Sequence, residues 1–485
     1  MTAPPSGPRG PGDAAEGPRP RRVDLLIDGA VVVTMNAERE VFLDGAVAVD
    51  AGRIVAVGDA ASVRGRHTAD EVVAGAGFVV TPGLVNTHIH VTGEPITRGF
   101  VPDDTPFVEN VFQWLCPLYA AQEEDDERTA AQLAAAELLL SGTTTFLEAG
   151  TVGFLDAVVD GLLETGIRGR VGRWVWDLPP EPSVYRQTTT EAIGRLEDEL
   201  ARYGTGEPVQ AWPMVVGHTT CSDELWRAAS GMAKEHRTGL NFHMSPAAMD
   251  PEHFLATFGE RPMVHLDGLG VLDERTVMAH CVHVDDAEID LIARRGATVA
   301  HCPTTALKVA YGVTQIGKVP EMLARGINVT IGTDGNNAAN SSDMYRATYL
   351  VAGLYKDARR DASQVPAELA YEMATLHGAR ALGLADEIGS VEVGKRADLV
   401  LHDRGRPEWT PLFNVANQLV YSADGRGVHT VFVEGRKVVD AYRLTTLDTG
   451  ELYARAQRAG EAVVARAGLP DRSKWPTRAG GAAGR

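Results

Sequence analysis

RTVMAHCVHVDDAEIDLIARRGATVAHCP, Arg275 to Pro303, holds two short apolar runs on either side of a segment of helical character. Runs such as TVMAH and TVAH predict buried strands, and DDAEIDLIARRG predicts the helix between them. Each strand ends on a histidine, His280 and His301. The same alternation continues outward, through TTTFLE, GRVGRWVW, VQAWPMVVG and TGLNFHM on one side and INVTIGTD on the other. Helical segments such as DERTAAQLAAAELLLSG separate them. Strand then helix, repeated about eight times, predicts an α/β protein with a (β/α)₈ TIM-like barrel over residues 81–388. A doubly wound open sheet competes with this reading, but no G-x-G-x-x-G follows an early strand to favour it.

Both flanks have a different texture. VDLLIDGAVVVTM and VFLDGAVAVDAGRIVAVGDA near the start, and RADLVLHD and GVHTVFVEGRKVVDAYRL near the end, are β-branched runs punctuated by Asp-Gly, Ala-Gly and Gly-Asp. They predict one small composite β-sandwich built from residues 23–80 and 389–445. ELYARAQRAGEAVVARAGL predicts a closing helix within 446–485, followed by a polar tail. Residues 1–22, rich in Pro, Gly and Arg, are expected to be a disordered tail, with no apolar core for a signal peptide.

Composition narrows the partners. A formal net charge of -19 excludes nucleic acid or an anionic membrane as the expected partner, since phosphate binding needs clustered Lys and Arg. No apolar run approaches membrane-helix length. Cys116, Cys221, Cys281 and Cys302 occur singly with no C-x-x-C, so neither a disulfide framework nor a thiolate zinc site is expected, and a reducing cytoplasm fits. A small-molecule substrate is the remaining partner class.

The polar residues at the strand ends carry the chemistry. In THIH, Thr87 to His90, the two histidines lie two apart on a strand and so share a face. Two imidazoles at the end of a strand form half of a divalent-metal site. His218, His243, His280, His301 and Asp334 end later strands, and in a barrel those ends meet on one face, where active sites sit.

With these pieces assembled, the chain resembles the amidohydrolase superfamily, in the branch that includes chlorotriazine hydrolases, guanine deaminase and the S-adenosylhomocysteine/methylthioadenosine deaminases. The matching motifs are PGLVNTHIH with Arg98 and Gly99 following, SGTTTF, HTTCSDEL, NFH, MAHCVHVDDAE, AHCPTTALK, TIGTDGNNAANSSDM, EMATLHGARALGL and IGSVEVGKRADLV. They run in the family's order from about residue 23 to 440. The resemblance implies one divalent metal ion per chain, held by His88, His90, His243 and Asp334. Zinc is the expected ion, and ferrous iron suits the same donors. It further implies Asp334 as general base, His280 beside the reacting water, His218 and Arg98 as substrate-binding residues, and a homodimer. Cys302 and His283 fall in matching motifs as packing residues. No lysine ends the strands between Thr145 and His218, which argues against a bridged two-metal site. The expected activity is metal-dependent hydrolysis of a non-peptide C–N bond, foremost deamination of a small N-heterocycle or amidine. The alternatives are amide or cyclic-amide hydrolysis, and a metal-containing pseudoenzyme that only binds a ligand.

One departure from the pattern bears on mechanism. The family's third histidine begins H-x-x-E, whose glutamate shuttles protons to the substrate ring; here the segment is His243-Met244-Ser245-Pro246, and proline has no proton to give. Glu94, four residues past His90, is the expected catalytic replacement, and Glu148 is the other candidate. Ala306 also stands where asparagine is usual, so the pocket is expected to differ in shape.

Overall fold

Strands from the two ends of the chain meet in one hydrogen-bonded sheet. In this computed structural model, which describes residues 20–181, 183–205 and 207–475, the N-terminal part supplies Arg21–Val33, Val41–Asp50, Arg53–Asp59, His67–Ala74 and Phe78–Pro82. The C-terminal part supplies Leu399–Asp403, Val428–Val433, Arg436–Asp440 and Arg443–Leu444. The seam is the antiparallel pairing of Leu399–Asp403 with Phe78–Pro82, in which Val400 faces Thr81 and Leu401 faces Val80. Side chains from both parts, including Ile27, Val47, Ile54, Val80, Leu399 and Phe432, share one apolar cluster. The ends therefore stabilise each other by burying a common apolar surface.

Two boundaries differ from the sequence reading. The expected tail of residues 1–22 falls outside the described residues up to Arg19, but Arg21 and Arg22 already belong to the first strand. They pair with His67 and Thr68, because that strand offers them a parallel ladder. The expected junction at residues 80 and 81 lies inside the strand Phe78–Pro82.

Between the two parts lie the strands that carry the polar ends. Leu84–Ile89, Thr143–Glu148, Arg168–Val171 and Val209–Ala211 form one parallel sheet in chain order. Met214–Gly217, Leu240–Met244, Thr276–His280, Thr298–His301 and Val329–Ile331 form a second. Only Trp212 and Pro213 separate the last strand of the first sheet from the first strand of the second. Nearly every residue in these strands is buried, as expected of parallel strands covered on both faces. At the other edges, the Asp334 amide donates to the His88 carbonyl at 2.9 Å and the Thr87 hydroxyl to the Ile331 carbonyl at 3.0 Å.

The connecting segments obey local rules. Asp285 caps the helix Asp286–Arg295 by accepting from the Glu288 amide at 2.9 Å, while the Glu288 carboxylate accepts from the Asp285 amide at 3.1 Å. Gly296, at φ +72°, ends it in the left-handed conformation. The expected closing helix is present as Thr449–Ala467 and packs on Glu124–Leu140. Among the described residues no helix is long and apolar enough to cross a membrane.

A buried ion pair joins the sheets. Arg168, fully buried in its parallel strand, pairs with Asp398, which enters the C-terminal strand and is itself buried. Asp398 also accepts from the Glu434 amide at 2.9 Å, so this charge is held by the composite sheet.

Candidate metal and active site

The strand ends bring five polar side chains to one place. His88 and His90 leave the end of Leu84–Ile89, His243 lies near the end of its strand, His280 ends the next, and Asp334 follows Val329–Ile331 by three residues. Asp334 Oδ1 lies 3.1 Å from His90 Nε2 and 3.5 Å from His88 Nε2, and its Oδ2 lies 3.9 Å from His280 Nε2. The His88 ring centre is 4.8 Å from that of His243 and 5.3 Å from that of His280. Ligand atoms of His88, His90 and His243, and likewise of His88, His280 and Asp334, fall within 4.8 Å of one another. All five side chains are buried.

Backbone strain aims several of them. His280 (φ +76°) and Asp334 (φ +65°) adopt the left-handed conformation that non-glycine residues seldom take, as do His218 and Ser245 (both +53°). Such outliers concentrate where the surrounding structure holds side chains for function.

The electrostatics suit a cation. Burial drives the His88 imidazole below its ordinary pKa despite the nearby Asp334 carboxylate. Burial, reinforced by the neighbouring histidines, drives His243 well below, and burial does the same to His280. Burial opposes protonation of His90 too, but hydrogen bonding to Asp334 and the Glu94 charge outweigh it and bring His90 up to about 9. Burial also opposes ionisation of Asp334, yet the adjacent His88 and His90 rings hold it well below the carboxylate range. His88 and His243 as neutral imidazoles and Asp334 as an ionised carboxylate are the ligand forms a divalent ion requires, and His90 would release its proton to an ion bound there.

The donor set therefore fits a metal on its own terms. Both ring nitrogens of His88 are buried with no hydrogen-bond partner, an arrangement too costly to leave uncompensated. His243 donates through Nδ1 to the Val216 carbonyl at 2.8 Å, which directs its Nε2 lone pair into the cluster. Imidazole and carboxylate donors with no thiolate among them are the ligand types of catalytic divalent-metal sites.

The remaining expected residues divide. Glu94 lines the cavity beside the cluster. Its carboxylate accepts from the Tyr119 hydroxyl at 2.6 Å and from the Asn337 and Ala338 amides at 2.5 and 3.2 Å. Gly335 permits this approach, since a Cβ there would sit 1.9 Å from Glu94 Oε1. Glu148 is turned onto its own chain, accepting from the Gly150 amide and from the Thr151 amide and hydroxyl, so it is a turn anchor and does not line the cavity. Arg98 does not line this cavity. Glu137, on the helix behind it, captures its guanidinium away from the cavity. His218 stacks on His243 with ring centres 5.4 Å apart and contacts Asp250 through Nδ1 at 2.9 Å, forming the wall behind the ligand. His301 lies apart, its Nε2 3.4 Å from the Tyr355 hydroxyl. His283 contacts the Tyr311 carbonyl at 3.1 Å, and Cys302 is a buried packing residue.

Sequence reasoning missed the cavity's aromatic wall. The cavity, about 60 Å³, is lined by Phe107, Tyr119, Trp174, Trp176 and Tyr311 together with His90, His243, His280, Asp334 and Glu94. Phe107, Asn110, Val111, Leu115, Cys116 and Tyr119 come from one covering segment, Phe107–Ala120, whose middle, Asn110–Leu115, is a π-helical turn. Aromatic residues in ENVFQWLCPLY and GRWVW were the available signal, but such residues more often mark ordinary core.

Comparison with known proteins decides the family. The model for the amidohydrolase family matches residues 79–438. The chain belongs to the amidohydrolase family. As an amidohydrolase it is an enzyme of hydrolytic chemistry at non-peptide C–N bonds, and the cluster holds groups of side chains able to take a divalent metal. It is 35% identical over 441 residues to the 5-methylthioadenosine/S-adenosylhomocysteine deaminase of Syntrophobacter fumaroxidans, covering 90% of this chain and 97% of that protein. It is 31% identical over 453 residues to the 5'-deoxyadenosine deaminase of Methanosarcina mazei, covering 91% and 99%. Among solved structures, an adenosine deaminase from Xanthomonas campestris with bound zinc superposes with a TM-score of 0.85 at 32% identity, covering 92% of this amidohydrolase and all of that chain.

Proposed function

We propose that this amidohydrolase releases ammonia from a small nitrogen heterocycle or amidine by hydrolysis, using one zinc ion held by His88, His90, His243 and Asp334. The observation that carries the proposal is the convergence of those four side chains, with both His88 nitrogens otherwise unpartnered. A divalent ion there supplies Lewis-acid activation of water. Deaminase relatives and a zinc-containing structural neighbour support the same reading. We read the two parallel sheets as one closed (β/α)₈ barrel. In this reading Val209–Ala211 and Met214–Gly217 are one strand interrupted at Trp212-Pro213, and Asp334 meets His88 where the barrel closes.

Each residue then has a defined task. Asp334, ionised and facing the cavity, takes a proton from water and returns it to the leaving nitrogen. His280 places a ring nitrogen beside Asp334 and hydrogen-bonds the developing oxyanion. The aromatic wall and the covering segment exclude bulk water, strengthening these interactions. Glu94 is the carboxylate that faces the substrate in place of the glutamate lost at Pro246. The four cysteines are free and buried, in keeping with a cytoplasmic enzyme.

The test is metal analysis by mass spectrometry with ammonia release assayed across aminopurines, aminopyrimidines, pterins and guanidines. About one zinc per chain, with activity lost on chelation and restored by zinc, is expected of the site described. Metal without ammonia from any compound would move the assignment to amide hydrolysis or ligand binding. No metal would sink the ligand set. Pro246→Glu is expected to raise activity on neutral aminoheterocycles if the missing shuttle limits them.

A further inference from the structure

The outer nitrogen of His90 is met by a side chain, whereas that of His243 is met by the backbone. His243 Nδ1 donates to the Val216 carbonyl, and His88 Nδ1 has no partner among the described residues. His90 Nδ1 lies 3.4 Å from the Tyr119 hydroxyl oxygen, while its Nε2 faces Asp334 Oδ1 at 3.1 Å. The same hydroxyl donates to Glu94 Oε1 at 2.6 Å. A phenol carries one proton and that short bond uses it, so only oxygen lone pairs remain for the imidazole. His90 therefore donates through Nδ1, which leaves Nε2 to face the cluster.

Packing fixes the Tyr119 ring in that place. It lies so closely over Gly93 that a Cβ there would fall 1.7 Å from ring Cδ1, and Gly93 takes φ +72°. Neither the space nor the backbone conformation at position 93 admits a side chain. Tyr119 meets Trp174 edge-on at 5.4 Å and runs nearly parallel to His90, with 14° between the planes and 6.1 Å between ring centres. Glu94 Oε2 in turn accepts from the Asn337 and Ala338 amides, which follow Asp334 by three and four residues. One hydroxyl thus joins the loop after His90 to the loop after Asp334. Tyr119 comes from neither loop, since it belongs to the covering segment Phe107–Ala120.

We propose that Tyr119 is a positioning residue of the metal site. Its hydroxyl holds the His90 ring in the orientation and tautomer that offer Nε2 to the ion, and it links that ligand through Glu94 to the loop after Asp334. This rests on the metal-site reading above and adds a residue to it. Tyr119 acts through His90 and Glu94 and performs no step itself. Because it sits on the covering segment, displacing that segment withdraws the hydroxyl from both partners together. Covering the cavity and aligning the ligand are then one event.

The experiment is Tyr119→Phe, which keeps the ring over Gly93 and against Trp174 and removes only the oxygen. Zinc affinity is measured by chelator competition, the visible absorption of the cobalt-substituted protein is recorded, and thermal melting of the metal-free protein is followed. Zinc is expected to bind about tenfold more weakly than in the wild type. The cobalt spectrum should shift, because the ligand ring is no longer held, while the melting temperature moves by less than about 5 °C. Unchanged zinc affinity in the variant overturns the inference while the wild-type metal site stands. A larger melting loss makes the hydroxyl a folding group and overturns it as well. A wild-type protein that takes up neither zinc nor cobalt overturns the metal-site reading, and this inference falls with it.

Discussion

Two buried polar sites in this molecule are built on opposite principles. Arg168 and Asp398 close on each other, one from a parallel strand and the other from the composite sheet, and Thr145 Oγ1 accepts from the same guanidinium at 3.2 Å. His88, His90, His243 and Asp334 do not close: the four converge, yet His88 keeps two nitrogens with no partner. The first arrangement pairs its charges within the chain and ties two parts of the fold together, although the Arg168 Nε keeps no hydrogen-bond partner. The second leaves donors open toward a common point, which is the basis of the proposed metal site. What separates the second site is the convergence of several buried donors on one point, since unpartnered buried atoms also occur elsewhere in the fold.

Breaking the open site should have the largest effect, and on activity. His88→Ala is expected to abolish stoichiometric zinc and to lower ammonia release on the order of 10³-fold, about 4 kcal/mol of transition-state stabilisation. Far-ultraviolet circular dichroism should stay unchanged. Retained zinc and activity would show that His88 is not a ligand.

Breaking the closed pair should act on stability. Arg168→Met leaves Asp398 buried and unpaired, with an expected cost of roughly 3 to 5 kcal/mol in chemical denaturation. The double variant Arg168→Met, Asp398→Leu should recover much of that loss, because no charge is then stranded. A double variant as unstable as the single one would show that packing, not charge, dominates the seam.

A third buried group sharpens the contrast through pH. Burial pushes the Glu127 carboxyl up to about 7, outweighing the Gly153 and Phe154 amides that donate to it. A carboxyl raised on folding contributes stability that is complete below its unfolded pKa, about 4.3, and is lost as pH rises through 7. Wild-type stability relative to Glu127→Gln should therefore fall by about 3 kcal/mol between pH 4.5 and 7.5. A flat difference across that range would mean that Glu127 stays ionised when folded.

The smallest effect is expected at Arg98. Because it pairs with Glu137 outside the cavity, Arg98→Ala should leave KM within about twofold, and a surface-type pair of this kind contributes at most about 1 kcal/mol to stability. A tenfold rise in KM would return Arg98 to the substrate site.

What was legible in the sequence follows from period and position. The alternation of apolar runs with helical segments, and the recurrence of His or Asp where those runs stop, place His88, His90, His243, His280 and Asp334 at corresponding strand ends. Glu148 ends its strand in the same way as His280, yet turns back onto Gly150 and Thr151. His301 ends its strand as His280 does, yet meets Tyr355. Position along a strand is written in the local pattern, whereas the direction of the final side chain depends on backbone angles such as φ +76° at His280.

By itself, then, the sequence determined the order of strands and helices, the union of the two β-rich ends, and which histidines and aspartate stand at strand ends. Periodic burial and donor chemistry are local properties of a chain. Only the tertiary structure decided that Arg98 belongs to Glu137, that Glu94 is cradled by a loop more than two hundred residues away, and that Tyr119, Trp174 and Trp176 wall the cavity. Those contacts join segments distant along the chain. No local pattern encodes them, because packing chooses the partners when the strands and their covering segment come together.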